Sequence, residues 1–255
     1  MMTLLIAGHQ LRLLSKSRGL LALFVAAPLL MIFVFGQAFT GIFNATGAGI
    51  AAADYFGVTL FTMAVFQGSF IAAWGIFKER KANADSRLYL APLGRGARLY
   101  GTFLGSWAAL LALGSLVLLA ARFILSVNYG PSPAVALLLL AVESGLASAL
   151  GVAVACLIGD ERPAGAILNT VVPLLVFLGG GYTIIPDSGF LHDISVASPL
   201  RWINLALLAA TRPEPNRYLL PAILICLPAA ALLLALASLG QPRPALAGLK
   251  TRRAP

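Results

Sequence analysis

The chain of 255 residues is 60% hydrophobic and only 11% charged, against roughly 45–50% and 25% in soluble domains. That balance excludes an ordinary soluble fold. The formal charge of +9 comes without a basic face or a stacking platform of aromatics, which excludes nucleic acid as the partner and fits cytoplasmic loops beside anionic lipid.

In chain order, residues 3–18 predict an amphipathic helix lying on the inner membrane surface. Leu4, Leu11 and Leu14 share one side, and His9, Arg12 and Lys16 the other. His9 reads as a polar residue at headgroup level. The apolar stretch that follows exceeds the ~7–15 residues of a signal core and no small-x-small site follows it, so a retained segment is expected.

Six apolar runs come next, at 19–39, 56–77, 99–121, 134–158, 164–185 and 218–239. Each reaches the roughly 20 residues that a helix needs to cross a bilayer core. Five carry no charge, and the fourth carries only Glu143. With the N-terminus inside, 14 of the 18 Lys and Arg fall on the cytoplasmic side, leaving Arg122, Arg201, Arg212 and Arg217 outside. The positive-inside rule therefore predicts a multi-pass protein with both termini in the cytoplasm.

The connections have distinct characters. Residues 41–53 read as a charge-free outer loop ending at Asp54, and Asn128-Tyr129-Gly130-Pro131 as a short outer turn. Gly159-Asp160-Glu161-Arg162-Pro163 reads as a tight inner turn, with the proline at the next helix start. Gly179-Gly180-Gly181 should break the fifth helix in the outer leaflet, at roughly 1 kcal/mol per glycine relative to alanine. The following stretch carries Phe190, Leu191, Ile194 and Ala197 at helical spacing but also Asp187, His192, Asp193 and Arg201. It predicts a re-entrant or interfacial outer helix with Trp202 at headgroup level. Residues 240–255, rich in Pro and basic charge, read as a flexible tail. Cys156 and Cys226 sit at different depths in their spans, too far apart to bridge, and are read as packing residues.

Catalytic signatures are missing. There is no G-x-x-x-x-G-K-[ST], no H-E-x-x-H, no G-x-S-x-G elbow and no closely spaced Asp cluster. Glu143, the ionisable residue well inside a span, is a functional candidate by default. Arg122, near the outer end of the third span, is expected to reach toward it. Gly101-x-x-x-Gly105, running on to Ala109, and Gly145, Ala149 and Ala153 predict close helix packing.

The largest inner loop is the informative one. Phe77-Lys78-Glu79-Arg80-Lys81 is followed by Arg87-Leu88-Tyr89-Leu90-Ala91-Pro92-Leu93, an apolar cluster that must bury itself against something. The order of span, F-x-E-R, short helix ending in Pro-Leu, and a span opening on G-x-x-x-G resembles the permeases of type-2 ATP-binding-cassette exporters. So do Gly179-Gly180-Gly181-Tyr182-Thr183-Ile184-Ile185-Pro186 and Ser198-Pro199-Leu200-Arg201-Trp202, which look like that family's outer re-entrant hairpin and the stretch before its last span. The family often carries E-R-E-x-G-T after the second span, where this chain reads E-R-K-A-N-A.

The resemblance implies one all-α permease domain over 1–255, with six transmembrane helices, an interfacial N-terminal helix, a cytoplasmic coupling helix and an outer re-entrant hairpin. It implies pairing with a second permease copy, identical or related, and with separate ATP-binding-cassette ATPase subunits in the cell membrane. ATP and magnesium would be bound by that partner, and this chain would be no enzyme and hold no cofactor or metal. Glu79, Arg80, Arg87, Leu88, Tyr89, Leu90 and Pro92 would couple to the ATPase. Along the second span, Thr59, Thr62, Met63, Phe66, Gln67 and Phe70, with Phe56 and Trp74 on the same stripe, would face the substrate path. Asn169 and Phe177 would answer them on the fifth. An aromatic, uncharged path favours a hydrophobic or amphiphilic cargo. The rival readings are a proton-coupled secondary transporter with Glu143 as carrier, and a non-transporting membrane scaffold or immunity protein.

Overall fold

The computed structural model describes residues 7–8, 18–46, 49–81, 95–186, 188–212 and 214–240. The expected interfacial helix lies outside them apart from Ala7 and Gly8, which are helical, and so does the tail beyond Gly240. Every described element is helical, as long apolar segments with few polar interruptions require when the backbone must satisfy itself without water.

In order these are α1 (Arg18–Ala38), α2 (Thr40–Thr46), α3 (Ala52–Gln67), α4 (Ser69–Lys81), α5 (Arg95–Ile124), α6 (Pro133–Ile158), α7 (Glu161–Leu178), α8 (Phe190–Ser195), α9 (Pro199–Ala210) and α10 (Leu219–Leu239). Among the described residues, five stretches are long and apolar enough to cross a membrane: Ala52–Lys78, Leu99–Ile124, Pro133–Ile158, Glu161–Leu178 and Leu219–Leu239. Ala22–Ala38 and Pro199–Ala210 are apolar but shorter. Large side chains such as Leu23, Leu30 and Phe33 of α1 and Leu220, Leu224 and Leu232 of α10 are exposed. In water such a surface would drive aggregation; against hydrocarbon it is the ordinary exterior. The protein is a multi-pass helical membrane protein.

Its centre is α6, flanked by α3–α4, α5 and α10. Small residues make this possible. A Cβ at Gly151 of α6 would stand 2.1 Å from the Ser69 carbonyl oxygen of α4, so the two backbones touch, as small residues permit in membrane helices. The second span is not one helix. It breaks at Gly68, whose N–H reaches back to Val65 O at 2.9 Å and whose missing side chain makes room for Leu110 of α5. Neither feature was expected from sequence, which marked Gly145, Ala149 and Ala153 instead.

The end of the bundle predicted from sequence to be the outer one, and called outer below on that reading, is tied together by loops. Part of the expected outer loop at 41–53 is helical as α2, and Phe35, Phe39, Phe43, Tyr55 and Phe56 stack with ring centroids 5.2–5.8 Å apart. The outer turn docks on α3. Asn128 N–H donates to Asp54 Oδ1 at 2.7 Å and the Tyr129 hydroxyl to Gly57 O at 3.0 Å. Burial, with the Asp54 carboxylate adding to it, holds the Tyr129 phenol above its ordinary range, so it remains a donor.

Candidate functional site

Three regions bear on function: the inner end of α4, the accessible side of α3–α4 with α7, and an outer hydrogen-bonded node with its cavity.

At the inner end, Arg80 donates through Nη1 to Ala155 O at 3.1 Å and Gly159 O at 2.9 Å, and its guanidinium lies over the Phe77 ring at 5.6 Å. Ala155 is in the last turn of α6, where its carbonyl also accepts from Gly159 N–H, and Gly159 is the residue that caps the helix; a cation there is favoured by the helix dipole. Arg80 therefore binds the start of the inner loop to the α6–α7 turn. The side chain of Glu79 and all of Arg87, Leu88, Tyr89, Leu90 and Pro92 lie outside the described residues.

The expected stripe on the second span straddles a boundary. Phe66 is 1% exposed, and Thr59 and Thr62 are equally buried. Met63, Phe70 and Trp74 are half-buried and Gln67 is exposed, so one edge of the stripe is accessible and the other is core. Beside it, α7 buries Ala164, Leu168, Val172 and Val176 at spacings of four. Asn169 and Phe177 stand on the exposed side of α7, which packs along both α3 and α4. Between α4 and α7 lies a largely apolar cavity of about 260 Å³ lined by Phe70, Trp74, Phe77, Glu161 and Leu168.

The outer node begins with the triglycine, where α7 ends as expected. Gly180 takes φ +79°, Gly181 N–H donates to Val176 O at 2.9 Å and Gly180 N–H to Phe177 O at 3.0 Å. This is the paired capping pattern that favours glycine at the left-handed position. The turn is then held by two neighbours. The Tyr55 hydroxyl donates to Gly180 O at 2.8 Å, and Asn204 Nδ2 to Gly179 O at 2.7 Å. The Thr62 hydroxyl, already near Thr59 O, donates to Asn204 Oδ1 at 2.6 Å. Ser198, at the start of α9, donates to Leu175 O at 2.8 Å. The stretch after the glycines is thus two helices, α8 and α9, and Trp202 is half-buried with its indole N–H on Val196 O at 3.1 Å.

Above the node is a cavity of about 560 Å³ between the outer half of α3, the glycine turn, α9 and the α9–α10 loop. Arg201, Arg212 and Arg217 line it. Sequence reasoning counted Arg212 and Arg217 only as exceptions to the charge asymmetry, and Arg201 also as a polar residue of the stretch before the last span; their crowding there was the available signal. Tyr55 and Asn204 were missed as well, because nothing local marks a residue whose partner is a distant backbone carbonyl.

Glu143 is 0% exposed, and neither carboxyl oxygen has a hydrogen-bond partner. The expected approach of Arg122 does not occur. Arg122 is exposed and donates to Gly130 O at 3.3 Å instead, because the outer turn curls over the end of α5 and offers a carbonyl at the interface. The Cys226 thiol of α10 donates to Pro199 O at 3.7 Å. Neither cysteine forms a disulfide. Glu143 lines neither the inner nor the outer cavity.

Among the described residues no group of His, Cys, Asp and Glu is placed to hold a metal. Apolar crossing helices, close small-residue packing and cavities between helices define a polytopic permease-like membrane domain. The chain belongs to the ABC-2 type transporter family, whose membrane-domain signature matches residues 3–211. That family consists of non-catalytic permease subunits that work in a lipid bilayer with ATP-binding-cassette ATPases. No curated protein matches the chain.

Proposed function

We propose that the chain is one half of the membrane domain of an ATP-driven exporter, acting as a dimer with an identical or related permease copy and powered by separate ATPase subunits. α1 is taken as the first of six crossings, with both termini in the cytoplasm of the cell that bears it and the segment 186–217 on the outer side. The segment 82–94 docks on the ATPase, and Arg80 passes its movement to the α6–α7 turn. One observation carries the reading. The accessible edge Met63, Gln67, Phe70 and Trp74 lies beside the exposed side of α7 bearing Asn169 and Phe177. A second copy facing this surface would close a path that is aromatic and weakly polar, suited to a hydrophobic or amphiphilic cargo.

The test is co-expression with an ATP-binding subunit and the paired substitution Gln67→Trp with Asn169→Trp. Both positions are exposed, so folding and ATPase binding should persist while ATP-driven uptake of cargo into inverted vesicles stops. Unimpaired export would show that the path runs elsewhere.

A further inference from the structure

The outer cavity has a chemistry that the exporter reading does not use. Its described lining carries three guanidinium groups and one carboxylate, Glu214, and no ion pair joins Glu214 to any of the three among the described residues. Arg201 is fixed in place: Nη1 donates to His192 O at 2.8 Å and to Ser195 Oγ, and Nη2 meets His192 Nδ1 at 3.0 Å. Arg212 and Arg217 are exposed, and Arg217 stacks over the Tyr218 ring at 4.8 Å while donating to its hydroxyl. The remaining wall is apolar, with Ile184, Ile185, Leu205, Leu208 and Pro215. At its deep side lies Thr59, 1% exposed, with a hydroxyl that has no acceptor or donor partner.

We propose that this cavity binds an amphiphile with an anionic, phosphate-type head, the head between the three arginines and the start of the chain against the isoleucines and leucines. Guanidinium groups match phosphate oxygens in a planar, two-point geometry. A cavity of about 560 Å³ falls in the roughly 300–1,000 Å³ range of organic ligand sites, far more than a bare anion fills. Glu214 at the rim opposes a second negative group and leaves the described lining with a net positive charge of two. The inference rests on the exporter reading only for the membrane face on which the site opens. Binding is a property of the permease alone, so failure of the ATPase partnership leaves it standing.

The experiment measures dodecyl phosphate binding to the purified full chain in phosphatidylcholine nanodiscs by calorimetry. The exposed pair Arg212→Gln and Arg217→Gln should weaken it by about tenfold or more while leaving the melting temperature unchanged. Arg201→Lys, which keeps the charge and loses the fork, should also weaken it. Dodecyltrimethylammonium and inorganic phosphate should each bind at least about tenfold less tightly than dodecyl phosphate. Added phosphatidylglycerol distinguishes the source. Competition assigns the site to an anionic bilayer lipid, and no competition assigns it to a free amphiphile; either supports the anionic-head chemistry. Unchanged affinity in the double variant, equal affinity for the cationic amphiphile, or equal affinity for phosphate alone would each overturn the proposal.

Discussion

Replacing Asn204 by Leu isolates the node that joins α3, the glycine turn and α9. The asparagine is 4% exposed and makes two bonds, to Gly179 O at 2.7 Å and from the Thr62 hydroxyl at 2.6 Å. Leucine fills a similar volume, so the loss is polar rather than steric. In a water-soluble core, stranding the Gly179 carbonyl would cost about 1–3 kcal/mol, while the Thr62 hydroxyl keeps Thr59 O as its acceptor. Side-chain bonds between membrane helices average only about 0.6 kcal/mol, with a maximum near 1.7, because the unfolded helices find other partners. Two such bonds give about 1–3 kcal/mol, and the upper half of that range applies because Gly179 sits in a turn with no helical alternative. At roughly 2–4 °C per kcal/mol for a chain of this size, the melting temperature in detergent should fall by about 4–12 °C. A double-mutant cycle with Thr62→Val then apportions the loss. If Thr62 and Asn204 interact directly, the double variant loses less than the sum of the singles, by about 0.5 kcal/mol or more. Strict additivity would refute the direct Thr62–Asn204 interaction, and an unchanged melting temperature in Asn204→Leu would refute the node as a source of stability.

Other outcomes follow from the same geometry. Leu88→Asp with Leu90→Asp should leave membrane insertion intact and abolish co-purification of the ATPase, since two lost apolar contacts weaken docking by about 3 kcal/mol, over a hundredfold; retention of the ATPase by the variant in a pull-down would remove the coupling role. Glu143→Gln keeps the size of a side chain that has no counter-charge, so the melting temperature and the pH profile of export should both match the wild type; a flattened pH profile would favour the proton-coupled rival. Gly151→Val forces apart α4 and α6, where the Ser69 carbonyl would be 2.1 Å from a Cβ, and should cost about 1–3 kcal/mol, read as a lowered melting temperature and loss of monodispersity on size exclusion. Arg80→Met should lower the melting temperature by only a few degrees, because water at the interface can take over the α6 carbonyls, yet reduce the stimulation of ATPase activity by cargo; full stimulation would show that Arg80 is a cap and no more.

What the sequence made legible was whatever depends on composition along one segment. Apolar length marked the five membrane-length stretches, and the triglycine placed the end of α7, because each glycine acts on its own backbone. The accessible edge of the second span was only half legible. Periodicity grouped Thr59, Thr62 and Phe66 with Met63, Gln67 and Phe70, but which edge faces outward depends on where α6 and α9 pack, and the sequence does not contain that. Arg80 showed the same limit. A basic residue after a span looks like a solvated charge or a docking contact, and nothing near it in the chain points to carbonyls 75 and 79 residues away. The break at Gly68 was hidden because one glycine in an apolar run is tolerated in membrane helices; its meaning comes from Leu110 entering the gap.

The packing of α6 against α10 also sets a schedule for biosynthesis. α6 is made before α10, and roughly sixty residues separate the end of one from the start of the other. At about 5–20 residues per second, ~3–12 s pass between their arrivals. Over that interval the side of α6 that α10 will cover meets lipid or the insertion machinery. An acidic residue near a helix centre costs about 2.5–3.5 kcal/mol on insertion, and the leucine-rich first half of α6 supplies the hydrophobic excess to carry it. The helix is therefore admitted to the membrane on the strength of its own composition and becomes an interior element only when the last crossing closes over it.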